Sequence, residues 1–294
     1  MAPIISKIYI YPIKSCRGIE LTESNLSKFI DPETGAQRTM RELSSMTLIV
    51  PKINGDDLVI TAGGKTLTLP LAPEISKYEK RTVTVWKDSL EAADMGDEAA
   101  KFFSDFLEVP CRLVYKSPNH VRAVVEHAPG VKEIGFQPQT AFADCFPILC
   151  LSQESIDDIN SRLEKPVTAA NFRPNLVVSG VTKPWEEDTW CTADIRGVTY
   201  YFACRCTRCD MPNVDPVTGI KDKMQPQKTL QSIRRVDKGK MAKYYACVGI
   251  NVVPNAQSGL ICAGDVLEIK EVFQGERKRT GDAFWSTKEV EIGA

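Results

Sequence analysis

The sequence predicts a β-rich α+β fold: a barrel- or sandwich-like domain with peripheral helices, preceded by a smaller β-rich lobe. Short apolar segments recur along the whole chain, and turn signals such as Asn54-Gly55, Gly63-Gly64 and Arg196-Gly197 separate them at close intervals. Helical spacing is confined to 95–107 and 152–163. Many short strands with few helices argue for a closed or layered sheet with helices outside it.

The elements follow in chain order. Residues 4–11 alternate apolar and polar like a first strand, ended by Pro12, and Lys14-Ser15 follow in a turn. Segments 46–50, 58–61 and 66–69 are short strands in hairpins, and 82–86 is a further strand. Residues 95–107 form a helix, with Phe102, Phe103, Phe106 and Leu107 on one face and acids early, at the positive end of its dipole. Leu113–Tyr115 is a strand. Residues 118–138, polar with scattered Gly and Pro, are a long loop that separates a first lobe, 1–118, from a second, 119–272. Phe146–Leu151 is a buried strand, after which Ser152 caps a helix bearing Ile156, Ile159 and Leu163. Leu176–Ser179 is a strand stopped by Gly180. A hairpin around Arg196-Gly197 ends in the strand 198–203 and delivers the chain to a cysteine cluster. Segments 248–253 and 266–272 close the fold, and 273–294 is a polar surface arm.

Bulk properties exclude several classes. The 294 residues carry 37 Lys+Arg against 38 Asp+Glu, a net charge of -1, which gives a nucleic-acid backbone nothing to bind. No apolar run is long enough to cross a bilayer, and the start lacks the layout of a signal peptide or an N-terminal anchor. The expectation is a cytoplasmic protein, with mitochondrial association compatible, whose ten cysteines are not a disulfide framework. His120 and His127, the two histidines, are distant from the cysteine cluster.

Four constellations can carry chemistry. In Cys204-Arg-Cys-Thr-Arg-Cys209, arginines interleave with soft thiolate ligands and favour the thiolate form. The spacing lacks the second pair of a zinc site, and Asp210-Met-Pro-Asn after it is a loop, not a thioredoxin-like helix. Buried structural cysteines are the competing reading: they suit Cys204 on a strand, and suit Cys209 in a polar loop less well. Arg173, held by Pro174 at the mouth of the strand 176–179, suits a phosphate or carboxylate, or equally a surface salt bridge. Lys14-Ser15 can hold a phosphate through ammonium, hydroxyl and backbone N–H, or is a solvated turn. Trp185-Glu-Glu-Asp-Thr-Trp190 is expected as a loop with its rings inward and its acids solvated.

Taken together, Ile10-Tyr-Pro-Ile-Lys-Ser15, Arg41-Glu-Leu43, Phe142-Ala-Asp144, Phe172-Arg-Pro-Asn-Leu-Val-Val-Ser-Gly180, Trp185–Trp190, Cys206-Thr-Arg-Cys209, Val214-Asp-Pro-Val-Thr-Gly219 and Lys228-Thr-Leu-Gln-Ser232 occur in this order in one family. The chain resembles the MOSC proteins with an N-terminal β-barrel lobe, in the branch that includes the amidoxime-reducing components of mitochondria and their bacterial relatives. The resemblance spans about residues 4–271 and implies a MOSC-type β-barrel domain behind a barrel-like first lobe. It implies a molybdenum–molybdopterin cofactor with Cys209 as the protein's metal ligand and Asp144 as an acid near the metal. Lys14, Ser15, Arg173, Asn175, Thr207 and Arg208 are implied to hold the pterin. Asn251 stands where relatives carry a tyrosine near the cofactor. The implied activity is oxygen removal from N-hydroxylated compounds such as amidoximes and hydroxylamines. Electrons would come from a cytochrome b5 and its NADH-dependent reductase. A carrier of the cofactor or of sulfur, without turnover, is the alternative. After the first strand the chain is shorter than the family by about a dozen residues, give or take about 2–4 for element boundaries. It lacks there an Asp-Arg-aromatic element whose arginine also holds the cofactor, and one strand of the first lobe with it. Arg38 and Lys28 are the candidates to replace that charge.

Overall fold

The structure is a computed structural model that describes residues 2–20, 27–30, 33–34, 36–86, 88–116, 122–124, 127–140, 142–239, 242–256 and 260–273. The expected surface arm beyond 273 lies outside the described residues.

The dominant element is an eight-stranded sheet in the order Glu268–Val272, Trp190–Ile195, Val198–Arg208, Ala246–Pro254, Ile148–Ser152, Leu176–Ser179, Ile4–Ile10, Ile19–Glu20. Its neighbours pair antiparallel except Ile148–Ser152 with Leu176–Ser179, which run parallel. That parallel pair needs a crossover, supplied by the helix Gln153–Asn160, whose N-cap Ser152 side chain accepts the Ser155 N–H. The expected barrel is not closed by a continuous ladder. The opening strand and the segment just before Glu268–Val272 meet through one bridge, Ile4 to Val266, supported by Ile5 N–H donating to Asp265 O at 2.8 Å and Leu267 N–H to Pro3 O at 2.9 Å. The final strand forms only at Glu268, so the segment facing Ile4 contributes isolated bonds. One face of the sheet buries Ile5, Trp190, Phe202, Ile250 and Val252, with the Trp190 and Phe202 rings edge-to-face at 5.4 Å.

The opening strand Ile4–Ile10 belongs to this sheet: Ile4 faces Ser179 and Ile8 faces Leu176. The chain then leaves to build the first lobe and returns at Ile148. That lobe holds a four-stranded sheet, ordered Ser27–Ile30, Arg112–Lys116, Asp88–Asp94, Lys80–Val85, and a three-stranded meander of Val50–Asn54, Asp57–Ala62 and Lys65–Pro70. Despite the shortened segment, a strand at Ser27–Ile30 pairs with Arg112–Lys116, and Ala36 bridges in parallel to Thr84 at the other sheet edge. The helix Gly96–Leu107 buries Phe103 and Leu107 as its apolar spacing requires.

Several expectations change. Residues 46–50 are not one strand: Ser44–Leu48 is a 3-10 turn, with Thr47 Oγ1 donating to Ser44 O at 3.0 Å, and the strand starts at Val50. Within 118–138 the described residues hold a helix, Val131–Ile134, and a short pairing of Arg122–Ala123 with Gln139–Thr140. The cysteine cluster is not a loop after a strand, because the strand Val198–Arg208 runs through Cys204 and Cys206 to Arg208. Asp210-Met-Pro-Asn213 is not an open loop either, since Met211–Asn213 is a 3-10 turn. Two of the three acids between Trp185 and Trp190, Glu187 and Asp188, are buried rather than solvated. The 3-10 turn Glu186–Thr189 swings Glu187 inward to accept the Ser152 and Ser155 hydroxyls at 2.8 and 2.7 Å, and Asp188 accepts Arg205 and Arg234 at 2.8 and 2.7 Å.

Candidate active site at the junction of the lobes

The first half of the site is built by a turn. After Ile10 the chain buries Ile13 and Cys16 completely, which directs Lys14 into the junction between them. Ser15 takes φ +68°, an uncommon conformation for a residue other than glycine. Lys14 Nζ donates to Phe142 O at 2.9 Å and pairs with the Asp144 carboxylate. Phe142 is buried with Val83, Val85, Leu90 and Val114, so first-lobe packing holds the segment that carries Asp144. Arg41 Nη2 lies 3.6 Å from Asp144 Oδ2, and Trp86 Nε1 donates to Oδ1 at 3.3 Å. Arg122 donates to Asp88 at 2.7 Å and to Ala143 O at 2.8 Å. Burial pulls the Lys14 ammonium below the usual lysine range; Asp144 opposes this, and Arg41 and Arg122 add to it. The buried Ser15 Oγ and Arg41 Nε have no hydrogen-bond partner among the described residues.

The second half is carried by the larger sheet. A capping box at Thr168 starts the short helix Ala169–Phe172, which ends with Arg173 in the left-handed region at φ 56°. This turn sends the Arg173 guanidinium over the Tyr11 ring, 4.1 Å from its centroid, with Nη1 donating to Cys16 O at 2.6 Å. Burial lowers the Arg173 pKa, and the nearby Arg208 charge adds to that. Arg208, the last residue of its strand, donates to Phe172 O at 2.8 Å and lies 3.2 Å from Cys206 Sγ. Cys209 follows directly and is partly exposed.

The structure thus brings Lys14, Asp144, Arg173 and Arg208 into one electrostatically connected region: Asp144 acts on both Lys14 and Arg173, and Arg208 acts on Arg173. Asn175 has a different place. Its Oδ1 accepts Leu149 N–H at 3.0 Å and its Nδ2 donates to Tyr9 O at 3.2 Å, tying the opening strand to its neighbours. Asn251 is buried within the sheet with Nδ2 3.5 Å from Cys204 Sγ, and Thr207 sits in the ladder opposite Cys247. Arg38 acts on Cys111 inside the first lobe, and the Lys28 side chain lies outside the described residues. Sequence reasoning missed Arg122 and Trp86 and gave Arg41 no role. Arg41 stood in a recognisable stretch, whereas Arg122 lay in a polar segment without periodicity.

Two hollows lie in this part of the surface, one of them lined by Arg173. A cavity of about 50 Å³ lies beside Tyr11, Arg17, Gly18 and Arg173. An open cleft of about 490 Å³ is walled by Asp210, Asn213, Lys221, Met224 and Lys228. Among the described residues no three His, Cys, Asp or Glu side chains cluster as metal ligands. No helix among the described residues is long and apolar enough to cross a membrane.

Residues 2–110 match the family described as the MOSC N-terminal beta barrel domain, and residues 137–268 match the MOSC domain. The chain belongs to the MOSC family, in the form that joins these two domains. Its similar relatives include mitochondrial amidoxime-reducing component 1 of Mus musculus, 34% identical over 256 residues, covering 82% of this chain and 74% of the relative. The Homo sapiens component 1 is 33% identical, covering 82% and 74%, and the Bos taurus component 2 is 32% identical, covering 82% and 75%.

Proposed function

We propose that this chain is a molybdenum-cofactor oxidoreductase that removes oxygen from N-hydroxylated compounds such as amidoximes and hydroxylamines. One observation carries the reading. Cys209 directly follows a strand whose last residue, Arg208, joins a run of cations contributed by both lobes, with a buried, unpartnered Ser15 hydroxyl and Arg41 N–H among them. That donor set fits an anionic, phosphate-bearing group, and the partly exposed Cys209 thiol next in the chain to Arg208 suits a soft metal. The names of the relatives supply the reaction class.

In this reading Cys209 Sγ holds the metal, and Lys14, Ser15, Arg173 and Arg208 bind the charged tail. Arg41 and Arg122 add positive charge beside Lys14 and Asp144. The pterin-bound metal, when present, supplies oxygen acceptance and two-electron redox chemistry. The lobes 1–118 and 119–272 hold the group between them. Asn175, Thr207 and Asn251 shape the strands behind it. Asp144, 39% exposed and paired to Lys14, keeps a water-accessible acid and ammonium at the site, from which protons reach the substrate. Each N–O bond cleaved consumes two electrons and two protons and releases water. By analogy with the relatives, the electrons come from an outside donor of the cytochrome b5 and NADH-reductase type.

The test is metal and turnover together. Wild-type protein from a cofactor-making host should carry molybdenum and pterin in equal amounts and reduce benzamidoxime with a reconstituted electron chain. Cys209→Ala should lose the molybdenum, while Cys206→Ala should keep it. Equal metal in wild type and Cys209→Ala would refute the ligand assignment. Metal without turnover in the wild type would instead mark a carrier.

A further inference from the structure

Trp86 occupies a place that stability alone does not explain. It lies in the two-residue connection between the strands Lys80–Val85 and Asp88–Asp94, where such hairpins favour glycine, asparagine or aspartate. It takes φ +57°, which for a bulky side chain is a strained conformation. Its surface is also 53% exposed, so the indole gives back little burial. Yet the ring is held: Nε1 donates to Asp144 Oδ1 at 3.3 Å, and the Arg41 guanidinium carbon stands 5.5 Å from the ring centroid. The hairpin is fixed as well, because Asp88 pairs with Arg122, which also grips the carbonyl of Ala143. A strained, exposed and firmly oriented aromatic surface thus stands one ion pair away from Lys14, beside the candidate site. Strain and exposure at an oriented side chain point to a ligand.

We propose that Trp86 is an aromatic shelf that stacks the flat ring of aryl-substituted N-hydroxylated substrates. It makes the site discriminate for these over small aliphatic ones. This rests on the reductase reading of the same site. The indole face supplies dispersion and quadrupole contact to a planar ring, and a methyl-sized substituent gains little from it.

The experiment uses cofactor-loaded full-length protein as wild type, Trp86→Gly and Trp86→Phe. Binding of benzamidoxime and acetamidoxime is measured by calorimetry, and turnover with the electron chain. Glycine relieves the positive φ, so Trp86→Gly should melt no lower than wild type and retain its molybdenum. It should bind benzamidoxime about tenfold more weakly, a change of about 1.4 kcal/mol. Acetamidoxime binding should shift by less than about twofold, well inside that energy, and Trp86→Phe should stay near wild type. The proposal is overturned if both ligands weaken together, if benzamidoxime binding is unchanged, or if the wild type shows no preference between them. A fall in metal content in Trp86→Gly also overturns it, since the ring would then serve the cofactor. Wild-type protein that binds benzamidoxime preferentially but reduces nothing would refute the reductase reading and leave the shelf standing. A kcat/KM for benzamidoxime that is unaffected by the substitution would do the reverse.

Discussion

Lys14 shows how one side chain links burial to function. Its ammonium is mostly removed from water and has Arg41 and Arg122 nearby, so its pKa is lowered despite the attraction of Asp144. An amine with a lowered folded-state pKa loses its proton earlier as pH rises. Fold stability therefore increases through that window toward the unfolded lysine value of about 10.4, while the grip on an anion weakens over the same window. Cofactor retained after gel filtration should fall in the alkaline range before the ordinary lysine pKa is reached. Lys14→Arg, which stays charged throughout, should hold a flat profile over the same range. An unchanged fall in Lys14→Arg would remove Lys14 from the anion site.

At the scale of elements, the strand Val198–Arg208 is positioned by two kinds of constraint. The first is a bulge. Its register against Ala246–Pro254 shifts between Arg205 and Thr207, opposite Gly249, which sits at φ +78°. A Cβ there would lie 2.8 Å from the Cys150 carbonyl oxygen. Gly249→Ala should therefore cost about 2–3 kcal/mol, read as a lowered denaturation midpoint, and displace the strand end that bears Cys209. The second is charge: Arg205 on this strand donates to Asp188, which also accepts Arg234, and Arg234 lies 3.8 Å over the Trp185 ring. In the first lobe a comparable device joins the Asp88–Asp94 strand to its neighbours, since Asp94 accepts Arg81, Arg112 and the Gly96 N–H. Burial pushes the Asp94 pKa up, but the hydrogen bonds from Arg112, Gly96 and Arg81 together outweigh it, and the carboxyl is held below its usual range. A depressed carboxyl stabilises fully above the unfolded pKa of about 3.9, and that stability is lost as pH falls through the lower folded value. Asp94→Asn should cost about 3 kcal/mol at neutral pH. The gap from wild type should close in melts run at progressively lower pH below about 4.

For the whole molecule, the central fact is that the first strand and the second lobe are one sheet. Ile5 is fully buried in the same cluster as Trp190 and Ile250, and its N–H donates to Asp265 O. Residues 119–272 expressed alone would leave that core open and the edge of Leu176–Ser179 unpaired, an invitation to aggregation. They should be insoluble or lack a cooperative melt. The same segment preceded by residues 1–20 through a flexible linker should recover a cooperative transition by circular dichroism. A cooperative fold of 119–272 without those residues would show that the opening strand is dispensable.

The sequence alone determined the elements whose signal is local. The helix Gly96–Leu107 was legible from its apolar spacing, the Ser152 cap from its side chain, and the strand Leu176–Ser179 from its β-branched run and the glycine after it. Lys14, Arg173 and Cys209 were legible as candidates because each stands at the end of a short element with a recognisable neighbour. Tertiary structure decided the rest, because contacts between residues far apart in the chain leave no periodic trace. It buried Glu187 and Asp188 by giving them serine and arginine partners, and it turned Asn175 toward the backbone of two strands. It also collected Arg41, Trp86, Arg122 and Asp144 around Lys14 from four separate segments, where only the long-range closure of the chain makes their charges neighbours.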